Sequence, residues 1–242
     1  MNEKIRLREE DSSFFRDKVP EAVKQNKKLI LLVVIIFSIS IAGTFVLQAR
    51  GPNRVANYIE EQTEPFQEVL ERETEEERTT LEWIGFFVRN NLNASLQTIG
   101  LGTIFGIFSF FSLLLNGALI GHVTAQVELG LGPTLSLLLP HGVFELTGYL
   151  LAVTCGVKLG LSSFESLRNQ NVQPLKKAGA QIKYILPAII LLILIAAVVE
   201  GFLGTYRNII ITNSNVQIGL ISFSIVAFSI ILVWLSGKFG KN

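Results

Sequence analysis

The sequence predicts an all-α, polytopic transmembrane helical bundle, and three observations support this: its hydropathy, its long apolar runs and its uneven charge. The chain has 242 residues, 49% of them hydrophobic, and a mean hydropathy of +0.46. Soluble domains of this length are rarely so apolar, because their loops and surfaces are polar. We therefore expect an integral membrane protein and not a soluble enzyme.

Long apolar runs divide the chain into predicted segments. A helix that spans a bilayer needs about 20 predominantly apolar residues. Residues 29–48 meet this requirement after a charged arm, residues 1–28, and no cleavage site follows, so we interpret them as an uncleaved transmembrane anchor. Residues 99–242 form the predicted bundle core, with membrane segments at about 99–120, 135–156, 184–204 and 216–235.

Residues 49–98 are predicted to form an external, acidic, helical loop that leads to the membrane interface. Ten of the twenty acidic residues of the chain lie between Glu60 and Glu82. Apolar side chains recur there near helical spacing, and Thr63 followed by Pro65 is typical of a helix start. Two interpretations stay open, a solvated cover over the bundle and a surface where a partner docks.

Basic residues near the spans predict the orientation of the chain. Lys27 and Lys28 directly precede the anchor, which predicts a multi-pass protein of the cell membrane with a cytoplasmic amino terminus. Simple alternation over five helices would put residues 157–183 outside, although five lysines and arginines lie in that stretch. The five-helix count therefore conflicts with the charge distribution.

Two arrangements remove this conflict. The first is a broken or re-entrant segment that turns at Pro140-His141-Gly142, because proline lacks a backbone donor and breaks or kinks a helix. The second is an additional crossing within residues 91–123, where Gly100, Gly102 and Gly106 interrupt the apolar run. The predicted fold class includes the first arrangement, and the second stays open beside it.

Ionisable residues inside apolar runs are the main candidates for a functional site. His141 and Glu145 are four residues apart, so on a helix they share a face. Such groups cost roughly 2.5–3.5 kcal/mol each on insertion scales, and they usually pair inside the bundle. They act either as a proton relay or substrate contact, or simply as partners of each other and of the backbone near Pro140. The candidate polar core comprises Asn116, Gly117, Pro140, His141, Gly142, Glu145 and Glu200, and a second polar cluster, before the Ile99 helix, comprises Arg89, Asn90 and Asn91.

The sequence lacks the motifs of several function classes. It contains no His-Glu-x-x-His run, no Walker A loop and no basic patch with interleaved aromatic residues. Two neighbouring ligands, His141 and Glu145, are fewer than the three or four that zinc needs, so we predict no metal site. Cys155 is the single cysteine, which excludes an internal disulfide. We expect a protein without enzymatic activity, cofactor or nucleic-acid partner.

A short motif resembles a known family. Residues 139–146 (LPHGVFEL) look like the membrane motif of the stage II sporulation protein M family, and residues 116–121 (NGALIG) and 196–202 (AAVVEGF) resemble two further family stretches. With residues 90–96, the resemblance spans roughly residues 83–205. It implies a polytopic membrane fold. In spore-forming bacteria the namesake is a scaffold that localises peptidoglycan-degrading partners. Relatives occur widely in bacteria and archaea that make no spores, so the resemblance does not carry those partners over to this chain.

Two functions follow as expectations. The first is a non-enzymatic scaffold of the prokaryotic cell membrane, in contact with lipids, which forms a homo-oligomer and recruits membrane or external protein partners. The alternative is a transporter, channel or lipid-handling protein that uses a polar cavity around His141 and Glu145. Discontinuous helices at mid-membrane are typical of transporter sites.

Overall fold

The computed structural model describes residues 14–50, 79–126 and 130–238, and within these ranges the chain is helical and contains no strand. The all-α fold is therefore confirmed. After a π-helical turn at Phe14–Lys18, the helices are α1 (Val19–Gln25), α2 (Lys27–Ala49), α3 (Thr80–Leu101), α4 (Ile107–Gln126), α5 (Leu131–Arg168), α6 (Gln173–Thr205), α7 (Arg207–Thr212) and α8 (Ser214–Leu235).

Five helices are long and apolar enough to cross a membrane, namely α2, α4, α5, α6 and α8. This confirms the prediction of a multi-pass membrane protein. The central pair is α5 and α6, which pack on each other extensively, and α5 also contacts α2, α3, α4 and α8. α3 packs mainly on α6 and α5, while α2 and α4 form a second closely packed pair.

The chain passes six times between the two ends of the bundle, because α3 also runs its full length. At the end where α2 stops and α3 starts, here called the loop end, the hydroxyls of Thr80 and Thr205 lie 2.9 Å apart. At the opposite end, Gly102 just after α3 lies against Gly156 of α5. We call this opposite end the basic end, because Lys27 of α2 and other lysines lie there.

The six passes remove the conflict between alternation and charge. α2, α4 and α6 run from the basic end to the loop end, and α3, α5 and α8 run back. Residues 157–183 therefore lie at the same end as the start of α2. A turn at residues 102–106 does divide the 91–123 stretch, as the second arrangement expected, but α3 already starts at Thr80 and is not among the five helices long and apolar enough to cross a membrane.

The expected break or re-entrant turn at Pro140-His141-Gly142 is wrong. α5 continues without interruption from Leu131 through Pro140 to Arg168. A proline removes one backbone hydrogen bond, whereas an open turn inside lipid would expose several unpaired groups at several kcal/mol each. Pro140 is also fully buried, so its ring is packed by neighbouring side chains.

The acidic loop is only partly within the described residues. Residues 80–98, which the sequence assigns to the external loop, belong to α3, which packs with one face on α5 and α6. Thr79 caps this helix in a capping box with Glu82, so α3 starts at a well-defined residue. The predicted helix at Thr63 and Pro65 lies in residues 51–78, outside the described residues.

Two Gly-x-x-x-Gly pairs allow close helix contacts. In α5, a Cβ at Gly160 would lie 1.8 Å from the backbone nitrogen of Gly106, in the turn between α3 and α4. In α4, a Cβ at Gly121 would lie 2.4 Å from the carbonyl oxygen of Ile41 in α2. Small residues are common at membrane helix interfaces, because without a side chain two backbones can approach closely.

Polar contacts attach the amino-terminal arm to the basic end. Lys158 donates hydrogen bonds to the side-chain oxygens of Asn26 and Gln181. The Trp234 indole donates to the carbonyl of Phe15 at 2.7 Å. The part of the arm that the structure describes, from Phe14 onward, is therefore packed on α5, α6 and α8.

Candidate functional site

Three ionisable side chains from two helices meet inside the bundle. His141 and Glu145 lie one turn apart on α5, and α6 brings Glu200 to the same face. His141 Nε2 lies 3.8 Å from Glu200 Oε1, and one ligand atom from each residue lies within 4.8 Å of the other two. The side chains of His141 and Glu200 are only 14% and 23% exposed. We call these three residues the His–Glu cluster.

The His–Glu cluster has a neighbour from a third helix. The side chain of Asn91 in α3 interacts with the Glu200 carboxylate. Asn90, which donates a 3.2 Å hydrogen bond to Asn91 Oδ1, is itself exposed, and so is Arg89. Of the second predicted polar cluster, only Asn91 therefore interacts with the His–Glu cluster.

The His–Glu cluster retains unused hydrogen-bonding capacity. Within the described ranges, Nδ1 of His141 and Oε2 of Glu200 are buried and have no hydrogen-bond partner of acceptable geometry. The Leu137 carbonyl, one turn earlier on α5, lies near the His141 ring. A buried polar atom without a partner costs about 1–3 kcal/mol. The site can therefore accept a ligand that satisfies these atoms.

A chain of hydrogen-bonded polar groups starts one helical turn beyond Glu145, at Tyr149. The Tyr149 hydroxyl lies 2.8 Å from Ser112 Oγ, which in turn lies 3.3 Å from Thr98 Oγ1. Ser109 Oγ donates to the Thr98 carbonyl at 2.7 Å. We call Tyr149, Ser112, Thr98 and Ser109 the hydroxyl track.

The hydroxyl track leads towards the basic end of the bundle. A Cβ at Gly156 would lie 2.1 Å from Ser109 Oγ and 2.5 Å from the Thr98 carbonyl, so the track ends against this glycine. The track thus follows α5 from the side of the His–Glu cluster towards the turn at residues 102–106. The cluster and the track lie in succession along α5, and Thr98 and Ser112 of the track also border an open cavity between α3 and α4.

The structure separates the other predicted site residues. Asn116 belongs beside the hydroxyl track, because its side chain donates to the Tyr149 hydroxyl at 3.0 Å. Gly117 has a packing role, since a Cβ there would lie 2.7 Å from Ser40 Cβ in α2. At Gly142 a Cβ would meet nothing within 4 Å, and Pro140 is buried as a packing residue.

The hydroxyl track was not predicted from the sequence. Tyr149 follows Glu145 at the same four-residue spacing as Glu145 follows His141, and this repeat was the available signal. The other track residues are hydroxyl residues on α3 and α4, where single serines and threonines are common in membrane helices. Their contact with α5 depends on how the helices pack, so spacing in sequence could not reveal it.

His122, the second histidine of the chain, lies in a different contact. It is fully buried, and its Nδ1 lies 2.8 Å from Nε2 of Gln48 in α2. This pair joins α2 and α4 near the loop end. His122 therefore serves as a matched comparison for His141, with similar burial and no part in the His–Glu cluster.

Comparison with known proteins supports the resemblance of residues 139–146. The family model described as stage II sporulation protein M matches residues 29–205. Uncharacterized protein MJ0793 of Methanocaldococcus jannaschii is 29% identical over 119 residues, which are 47% of this chain and 66% of that protein. Uncharacterized protein MJ0706 of the same organism is 25% identical over 185 residues, which are 73% of this chain and 81% of that protein. No solved structure matches. Because the family match covers most of its length, the chain belongs to the stage II sporulation protein M family.

Proposed function

We propose that this membrane protein binds a cation at the His–Glu cluster and passes it along the hydroxyl track between the two sides of the membrane. The observation that carries the proposal is the convergence of His141, Glu145 and Glu200 to within 4.8 Å inside a bundle of apolar helices. Such groups at membrane depth typically mark proton or ion pathways. Neither the cluster nor the track requires a covalent reaction, so the proposed function is not enzymatic.

The depth of the cluster supports cation capture. His141 lies ten residues into α5 and Glu200 five residues before the end of α6, which places them roughly 15 Å and 8 Å below the helix ends at the loop end. Two carboxylates that close together repel each other strongly in a medium of low polarity. A proton or a metal ion relieves that repulsion, so the cluster attracts cations.

The hydroxyl track supplies the second half of the proposed path. Hydroxyl groups both donate and accept hydrogen bonds, so a row of them can relay a proton or replace waters around an ion. Tyr149 begins this row one helical turn, about 5.4 Å, beyond Glu145. In this proposal the basic end faces the cytoplasm of the cell, because its lysines follow the positive-inside rule.

Flux through liposomes tests the proposal. With the full chain in proteoliposomes that contain a pH-sensitive dye, we expect an imposed potential to drive proton flux. Replacing Glu145 by glutamine should reduce this flux to the level of protein-free liposomes, because the neutral amide removes a proton-binding group. The matched control is Glu165→Gln, on the same helix but exposed beyond the track. Flux of wild-type size in Glu145→Gln would rule out the proposed path.

A second candidate function is the partner-organising scaffold that the family resemblance implies. It is favoured by an outward-facing polar stripe on α3, where Asn93 and Gln97 are exposed. Beside Gln97, α3 and α4 border an open cavity of about 280 Å³ whose lining includes Asn116. Amide side chains at membrane depth commonly bond to a neighbouring helix. We propose that a helix of a second copy of this chain covers this stripe in a homo-oligomer.

Cross-linking tests the scaffold. In a Cys155→Ser background, Gln97→Cys should form an oxidised dimer in membranes, because the stripe would meet its symmetric copy. Phe228→Cys, on the exposed apolar face of α8, is the control and should stay monomeric. A cross-link from Gln97→Cys to a smaller or larger protein would identify a different partner. If Gln97→Cys formed no cross-link, the stripe would have no role in assembly.

A further inference from the structure

We infer that the His–Glu cluster is a binding site for one divalent transition-metal ion of the zinc class. The inference rests on the proposed cation site and names its occupant. An imidazole nitrogen with two carboxylate oxygens is a mixed donor set that suits zinc, iron(II) or manganese(II). Calcium and magnesium prefer oxygen ligands alone, so the imidazole of His141 disfavours them.

The distances match a site that is ready to close around an ion. Zinc lies about 2.0–2.2 Å from nitrogen and oxygen ligands, so two ligands of a tetrahedral site are roughly 3.4 Å apart. His141 Nε2 and Glu200 Oε1 are 3.8 Å apart, and all three ligand atoms lie within 4.8 Å of one another. These separations exceed the tetrahedral value by at most roughly 1.4 Å, so closure requires only a short approach of the ligand atoms.

Charge favours a divalent ion over a monovalent one. With both carboxylates ionised and the imidazole neutral, the cluster carries a charge of −2, which one divalent ion neutralises. Across residues 14–50, 79–126 and 130–238, no lysine or arginine forms an ion pair with Glu145 or Glu200. Among these residues, no positive side chain takes the place of the ion.

Within the described residues, two buried atoms of the cluster lack a hydrogen-bond partner, as does Nε2 of His122 in α4. Nδ1 of His141 and Oε2 of Glu200 are buried without a hydrogen bond in the described part of the chain. An ion held by both oxygens of Glu200 would use Oε2, and an ion held by Nδ1 of His141 in place of Nε2 would use that nitrogen. Asn91, which interacts with Glu200 from α3, is suited to orient the carboxylate as an outer partner.

Metal titration of the purified full chain tests the inference. After treatment with a chelator, the protein in detergent is dialysed against zinc or cobalt(II), and bound metal is measured by mass spectrometry. We expect one ion per chain and visible cobalt absorption bands of a low-symmetry site. His141→Gln and Glu200→Gln should each lose more affinity than the 10- to 100-fold typical of outer partners. Excess magnesium should not displace the ion.

Matched variants and spectroscopy keep the test decisive if a cluster variant misfolds. His122→Gln and Glu165→Gln replace the same residue types outside the cluster, and they should bind metal like the wild type. X-ray absorption of the wild-type zinc form should show one imidazole among oxygen ligands. No bound ion, several imidazoles around it, or unchanged affinity in Glu200→Gln would each overturn the inference.

The transport path and the metal site can be contradicted independently of each other. Metal bound at one ion per chain without any flux in liposomes would support the metal site and contradict the transport path. Proton flux that depends on Glu145, without zinc or cobalt binding, would support the path and overturn the metal site.

Discussion

Replacing Gly160 by alanine is expected to lower the free energy of unfolding by about 3 kcal/mol. The added Cβ would lie 1.8 Å from the backbone nitrogen of Gly106 and 2.3 Å from the carbonyl carbon of Phe105. These are backbone atoms of the turn between α3 and α4, so no side-chain rotation can relieve the overlap. Gly106 also has a φ of 75°, which only glycine adopts without strain. The measurement is the thermal unfolding midpoint in detergent, together with the elution volume in size exclusion.

Gly142 offers a control on the same helix. A Cβ at Gly142 would meet nothing within 4 Å, and alanine is favoured over glycine inside a helix by about 0.5–1 kcal/mol. Gly142→Ala should therefore unfold at or slightly above the wild-type midpoint. If Gly160→Ala were as stable as Gly142→Ala, the turn at residues 102–106 would not pack against α5, and the path of α3 through the bundle would be wrong.

Replacing Tyr149 by phenylalanine should lower the free energy of unfolding by about 1–2 kcal/mol and also reduce proton flux. The ring stays, but the hydroxyl that contacts Ser112 Oγ at 2.8 Å and accepts from Asn116 at 3.0 Å is lost. The partners keep weaker contacts, which limits the cost to stability. The hydroxyl track, however, loses the group nearest to the His–Glu cluster. Chemical denaturation in detergent and dye-based flux in liposomes measure the two effects.

A double-mutant cycle separates the hydroxyl contact from general packing. Ser112→Ala and the double variant with Tyr149→Phe should be strongly non-additive, because both single changes remove the same hydrogen bond. Tyr184→Phe is the control, since this ring packs near Phe14 at the basic end, away from the track. Additive effects in the cycle, or equal flux loss in Tyr184→Phe, would contradict the role of Tyr149.

All three residues of the His–Glu cluster were among the polar-core candidates chosen from the sequence, but only the pairing of His141 with Glu145 followed from spacing. The four-residue spacing of His141 and Glu145 places them on one face of any helix, whatever surrounds it. Glu200 lies on a different helix, and its contact with His141 depends on the rotation of α6 against α5. For this reason the expectation of two ligands without a third did not foresee the convergence of three, from which we infer a metal site.

Composition by itself determined that this is a multi-pass helical membrane protein, because hydropathy over about 20 residues depends only on local sequence. Tertiary structure decided the sixth pass of the chain between the two ends of the bundle. The polar residues of α3, among them Asn91 and Gln97, lower the hydropathy of this helix, and packing against α5 and α6 determines the direction in which it runs. Tertiary structure also decided the continuity of α5 through Pro140, where burial and the need for paired backbone groups in lipid favour a helix. Close approach at Gly156 and Gly160 sets how the helices face one another, and that orientation brings distant polar residues together.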